Sequence, residues 1–349
     1  MTRTLFAFLL LFAPLCANDW MDSVVEKEFA RWEETGITKE MVAKTWAACC
    51  TRKKHLYRRY QVRSGAIDGQ EGTFKELLTE IRKRYPLPDL DIIYYHHDKV
   101  KAGFFQGWDP DEQNAPILVS AKNKDLDRVV LFVDYFYHAQ DDNGGWHGLI
   151  HRLNKMQKRY PWEEKTEQLF WRGSSTDGFY TKESWQSIPR GSLVHLGTHV
   201  RPDLIDAALV NVFPWHTDDM EWLENTFRMD RFASPVRHLA YKYQMIMDGV
   251  TCTYPGTQWR LLSGCLSFKQ QTDDVMWFFE PLIPWKHYVP VKKDLSDLVE
   301  KILWAKEHDD EARAIAQNAR EFALNNLMKE EILLYCYKAL CKYAQLQKQ

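Results

Sequence analysis

The sequence has almost no excess of either charge: Lys and Arg total 46 against 48 Asp and Glu, a formal net charge of -2 over 349 residues. It lacks the basic surplus that neutralises a phosphate backbone, which excludes nucleic acid as the expected partner. Glycine and proline number 16 and 14, too few for a collagenous or low-complexity chain. No C-x-x-C pair, H-E-x-x-H, G-x-G-x-x-G or G-x-x-x-x-G-K-[ST] occurs, so a zinc ribbon, a zincin, a dinucleotide fold and a Walker loop have no motif behind them. Beyond the first residues no apolar run is long enough to cross a bilayer, and no transmembrane span is expected.

What the chain does have is aromatic side chains, with 14 Trp, 16 Tyr and 18 Phe. Such rings serve sugar-stacking platforms and large cores alike. Length and a hydrophobic content of 45% suit a soluble protein of two domains. Arg3 followed by the apolar run Leu5 to Cys16 reads as a signal-peptide core, about a dozen residues rather than the roughly twenty of a span. Cleavage after Ala17 and export are expected, to an ER or Golgi lumen or to a bacterial periplasm or medium.

Hydrophobic spacing predicts helix from Trp20 to about Arg59 and again from Thr73 to Arg84, where Phe74, Leu77, Leu78 and Ile81 share a face. Asp91 to Asp98 reads as a buried strand opening into a polar loop at its C-terminal end. Pro116 to Ser120 and Val129 to Asp134 read as short strands, and Leu149, Leu153 and Met156 mark a helix. In the second half, Gln168 to Gly173, Val210 to Phe213, Cys265 to Phe268 and Trp285 to Val291 read as strands. Pro202 to Ala208 and the stretch after Thr257 read as helices, and the chain is helical from Asp294 onward. Strands alternating with helices in both halves predict two doubly wound α/β domains facing one another.

Several positions suit chemistry. Asp98 ends a strand, where α/β folds place their reactive groups, and a carboxylate there suits a general base; a helix cap or loop ion pair looks the same locally. Arg172-Gly173-Ser174-Ser175 combines a guanidinium, a close backbone approach and hydroxyls, a set suited to a diphosphate. Pro255-Gly256-Thr257 opens a helix, whose first N–H groups suit a second phosphate or serve only as an ordinary helix start. His147 and His151 sit four apart, but no third ligand accompanies them, and no metal is expected. Asp109-Pro110-Asp111 and Asp125-Leu126-Asp127 have a D-x-D form common in loops.

Taken together, Leu169-Phe170-Trp171-Arg172-Gly173, Pro202 to Ala208, Tyr241-Lys242-Tyr243-Gln244 and Asp248-Gly249 resemble glycosyltransferase family 90. Pro284 to Val291, Asp294 to Leu298 and Tyr335-Cys336-Tyr337 are most similar to its KDEL-containing members. The resemblance spans roughly residues 75 to 345 and implies a fold of GT-B type. That is two Rossmann-like domains across a cleft, with a C-terminal helix packing back on the N-terminal domain. The expected layout is a signal peptide at 1–17, an acceptor-side domain at 18–165, a nucleotide-sugar domain at 166–310 and C-terminal helices at 311–349.

The resemblance further implies an inverting transferase moving a hexose or pentose from a UDP-sugar, UDP-glucose or UDP-xylose, to a hydroxyl of a protein or glycan, with no cofactor and no metal. Asp98 falls on the family's base, Arg172, Gly173 and Ser174 on its donor loop, and Arg190 on a downstream phosphate-binding arginine. Gly256, Thr257 and Arg260 complete the expected donor contacts. Two departures stand out: Arg260 lies several residues beyond the family's phosphate-binding arginine, and Met276 replaces a glutamate, with Glu280 the nearest carboxylate. A sugar-binding module of the same fold is the alternative. Relatives tie a cysteine at the Cys336 position to the N-terminal region, which implies a disulfide from Cys336 to Cys49 or Cys50.

Overall fold

The computed structural model describes residues 19–100, 102–105, 113–134, 137 and 145–348. The expected signal peptide, Asp109-Pro110-Asp111 and most of the loop before Gly145 lie outside the described residues. The chain forms a mixed α/β structure with two five-stranded sheets. The first has strand order β2-β1-β3-β4-β6, comprising β1 (Tyr57–Arg63), β2 (Ala66–Gly69), β3 (Leu90–Tyr95), β4 (Ile117–Val119) and β6 (Val129–Leu131). The second contains β7 (Thr166–Ser174), β8 (Ile205–Asn211), β9 (Tyr241–Ile246), β10 (Leu266–Gln270) and β12 (Val289–Val291), ordered β12-β10-β9-β7-β8 and parallel throughout. The short β5 (Lys122–Asn123) pairs antiparallel with β11 (Asp274–Val275), joining the first half of the chain to the second.

Helices cover the sheets. They are α1 (Asp19–Phe29), α2 (Lys39–Lys53), α3 (Thr73–Arg82) and α4 (Gly145–Gln157) in the first half. The second half has α5 (Pro189–His195), α6 (Met220–Thr226), α7 (Pro235–His238), α8 (Gly256–Leu262) and α9 (Leu298–Glu307), followed by α10 (Asp309–Asn326) and α11 (Lys329–Leu346). The apolar stripe of α3 is buried as its spacing requires, Phe74 stacking on Tyr94 of β3 at 4.2 Å. α10 begins in the core of the second sheet with Ala312, Ile315 and Ala316 and ends in that of the first with Phe322 and Ala323. α11 then packs on α1 and α3, and the Tyr335 hydroxyl donates to Leu131 O in β6. Trp277 stacks between Trp20 and Tyr335, at 5.8 and 4.4 Å.

Four expectations are corrected. The helix expected to run to Arg59 ends at Lys53, and Tyr57–Arg63 is a strand whose hairpin with β2 turns through Ser64 and Gly65 at φ 48° and 79°. The first sheet is therefore not fully parallel, since β1 runs antiparallel to both β2 and β3. Ile205–Asn211 is strand rather than helix, because Leu204, Ile205 and Ala207 to Leu209 all find buried positions along the edge of β7. Trp285 takes φ 63° in a turn, so only Val289–Val291 of its segment is strand.

The expected disulfide is not made, and Cys49, Cys50 and Cys336 are free thiols. α2 carries Cys49 and Cys50 against β1 and β3, whereas Cys336 lies on α11 beside Tyr137.

Candidate active site

The parallel strands of the two sheets end in loops that approach one another. Three residues past β3, the Asp98 carboxylate accepts a hydrogen bond at Oδ1 from the Tyr254 hydroxyl, 3.1 Å away. The same hydroxyl lies 3.1 Å from the Asp98 backbone carbonyl oxygen. Tyr254 belongs to the loop between β9 and α8, so one contact joins the end of a first-sheet strand to the second half. His97 Nδ1 stands 3.7 Å from Asp98 Oδ2.

Behind Tyr254 lies a cavity of about 650 Å³. Trp146, Leu149 and Arg152 of α4 form one wall; Thr253 to Gly256, Trp259 and Arg260 form another, and Phe232 to Val236, His238 and Arg172 close it. Phe232 stands at the rim, 76% exposed. Arg260 is buried, its guanidinium 4.1 Å over the Trp259 ring and its Nη1 donating to Gly256 O at 3.0 Å. No carboxylate pairs with it among the described residues, and Nε has no partner. Burial, with the charge of Arg190 second, brings its guanidinium down to about 9. A buried cation without a counter-ion is costly unless an anion is meant to join it. Gly256 is required by this packing, since a Cβ there would lie 2.4 Å from Thr253 Oγ1 and 2.9 Å from Arg260 Nη1.

The other expected donor residues have different employment. All five N–H groups of Arg172 are taken: Nε by Asp230, Nη1 by the carbonyls of Trp171 and Asp206, and Nη2 by the carboxylates of Asp206 and Asp230. Arg172 lines the cavity but has no donor left for a phosphate, so its expected diphosphate role gives way to a structural one. Arg190 is likewise buried, tying Ser174 O, Thr176 Oγ1, Met247 O and Asp248 O, and so fastens the ends of β7 and β9 together. Ser174 meets it through its carbonyl, and Gly173 lets the backbone pass the Trp171 ring, which a Cβ would enter at 2.3 Å. The Thr257 amide and hydroxyl both donate to Thr253 O at 2.8 Å, so neither is offered to a ligand.

Sequence reading missed His238. It is 2% exposed, wedged edge-on between Phe170 and Trp259, with Nδ1 3.1 Å from Ser234 O and Nε2 unpartnered. Burial first, then the Arg260 charge, pushes it down to about 3, so it stays neutral. Met276 is buried in the first core and Glu280 is paired on the surface with Lys27. His147 and His151 are both exposed on α4. Among the described residues no group of three or more His, Cys, Asp or Glu is gathered to hold a metal ion.

The strand ends of this α/β chain thus converge on a cavity that holds a buried arginine with no carboxylate partner among the described residues. The family follows from comparison: the chain belongs to glycosyl transferase family 90, whose profile matches residues 15–349. It is similar to Protein O-glucosyltransferase 3 of Homo sapiens, 36% identical over 305 residues, 84% of this chain and 54% of that protein. It is also similar to Protein O-glucosyltransferase 2 of Danio rerio, 35% identical over 192 residues, 53% of this chain and 34% of that protein. The chain thus spans about half or less of these curated relatives. Among solved structures, a glycosyltransferase from Rickettsia africae superposes over 71% of this chain and 70% of its own, with a TM-score of 0.36 and 14% identity.

Proposed function

We propose that this protein is an inverting glycosyltransferase of GT-B form that moves a sugar from a UDP-sugar, UDP-glucose or UDP-xylose, to a hydroxyl of an exported protein or glycan. The observation that carries the reading is Arg260, a buried guanidinium with no carboxylate partner among the described residues that lines a cavity large enough for a nucleotide. In this reading the donor's diphosphate supplies the missing counter-charge, and its developing negative charge at departure is held by Arg260 in a water-poor pocket. Asp98, at the strand end one hydrogen bond away from the cavity wall, takes the proton of the acceptor hydroxyl as that oxygen attacks the anomeric carbon. Both steps use groups of this chain, and no covalent enzyme intermediate is required.

The families of donor and acceptor are supported by the O-glucosyltransferase relatives, and the base by its place at the end of β3. The test is calorimetry with UDP and UDP-glucose, together with UDP release from UDP-glucose. Tight binding that Arg260→Met removes, and turnover that Asp98→Asn removes, are expected. Wild-type protein that binds a free glycan but neither UDP nor UDP-glucose would overturn the transferase reading in favour of a sugar-binding module.

A further inference from the structure

Tyr254 is not among the residues assigned above to the base or the donor contacts, yet its hydroxyl touches the candidate base. The segment that carries it is short and tightly braced. Thr253 O accepts from both the amide and the hydroxyl of Thr257, Trp259 N donates to Pro255 O at 3.2 Å, and Arg260 Nη1 donates back to Gly256 O. Tyr254 and Arg260 are thereby held in fixed register on one braced unit, six positions apart.

We infer that Tyr254 is a positioning residue, which fixes the Asp98 carboxylate from the same loop that carries the donor-binding arginine. This rests on the proposed transferase reading. The phenol proton occupies Oδ1, and among the described residues Oδ2 accepts no hydrogen bond, with His97 Nδ1 the near group at 3.7 Å. Oδ2 is therefore the oxygen left for an acceptor hydroxyl. A Tyr hydroxyl can donate only one proton, so the alternative contact to the Asp98 carbonyl oxygen keeps the phenol in place when the carboxylate turns. Seating a diphosphate on Arg260 and aiming the base then become one geometric event rather than two.

Among the described residues, the groups that face Asp98 are few. Tyr254 comes from the loop before α8, and His97 precedes it in the chain. Tyr95, at the end of β3, has its phenol pushed up to about 12 by burial first and the Asp98 charge second. Lys99 is turned away to Asp274 at 2.5 Å. Of these, Tyr254 alone donates to the carboxylate.

The experiment is steady-state UDP release from UDP-glucose over a range of donor concentrations, beside UDP affinity by calorimetry. Tyr254→Phe, and Tyr254→Leu as a second variant, should lower kcat about tenfold while UDP affinity stays within about a factor of two of wild type, because only the aim of the base is lost. Turnover equal to wild type in both variants, or a loss matched by a fall in UDP affinity, each with a native melting transition, overturns the inference. Failure of the parent reading looks different: undiminished turnover in Asp98→Asn removes the base, and wild-type protein inert to UDP-glucose removes the transferase reading and this inference with it.

Discussion

Replacing Arg260 by methionine should make the empty protein more stable while disabling it. Holding this guanidinium down at about 9 means that the fold disfavours its charge by roughly 5 kcal/mol, at about 1.4 kcal/mol per pH unit. Because the folded value is depressed and the unfolded value is not, that penalty is fully present at neutral pH and fades only as the solution approaches the alkaline range. Methionine keeps an unbranched stem beside Trp259 and discards the charge. It also forfeits the bond to Gly256 O, about 1 kcal/mol, and the stacking of the cation on the ring, about 1 to 2 kcal/mol. The net expectation is a gain of about 2 kcal/mol in urea unfolding at neutral pH, read at unchanged m-value. UDP affinity should fall at least about a hundredfold, the loss of two charge-assisted hydrogen bonds. An Arg260→Met protein less stable than wild type by about 1 kcal/mol or more, or one that binds UDP as before, would refute the account of Arg260 as a cation waiting for its anion.

Asp98→Asn should lower UDP release from UDP-glucose by about a hundredfold to ten-thousandfold while calorimetric UDP affinity stays within about a factor of two. Arg172→Met should behave in the opposite way, destabilising the protein by about 3 kcal/mol in urea by removing the buried guanidinium that ties Asp206 and Asp230 and leaving them to the half-exposed Arg228, yet changing UDP affinity by no more than about a factor of two. His238 is neutral in the fold and protonates near 6.5 when unfolded, so its contribution is complete above about pH 6.5 and drains away as pH falls toward about 3. Between about pH 7 and pH 5 wild type should therefore lose about 2 kcal/mol more stability than His238→Gln, measured by urea unfolding at both values.

The parts of this architecture visible in the sequence are those specified by local pattern. The β-rich run of β3 and the i, i+3, i+4, i+7 stripe of α3 needed no distant partner to be recognised, and the position of Asp98 followed from the strand end. β1 was hidden because Arg58 and Arg59 between Tyr57 and Tyr60 imitate the polar face of a helix. The signal that was present is the Ser64-Gly65 turn between two alternating segments. The roles of the three arginines were unreadable for a different reason. Arg172 is saturated by Asp206 and Asp230, 34 and 58 positions away, and Arg260 is distinguished by carboxylates that fail to reach it. Local sequence carries neither fact. Thr257 looked available for a ligand until its amide and hydroxyl were found turned onto Thr253.

The first core is assembled from the two extremities of the chain, and this dictates a timetable. Trp20 bonds to Asn326 across 306 positions, Asp22 to Lys338 across 316, and Leu131 receives Tyr335 across 204. On a ribosome the strands of the first sheet emerge well before α11, the helix that seals them. At about 5 to 20 residues per second, β6 waits roughly ten to forty seconds for Tyr335. During that interval Trp20, Phe29 and Trp32 have no α11 to cover them, while the second sheet can already form from its own contiguous strands. The second sheet can therefore close its own strands before the first core receives its α11 face.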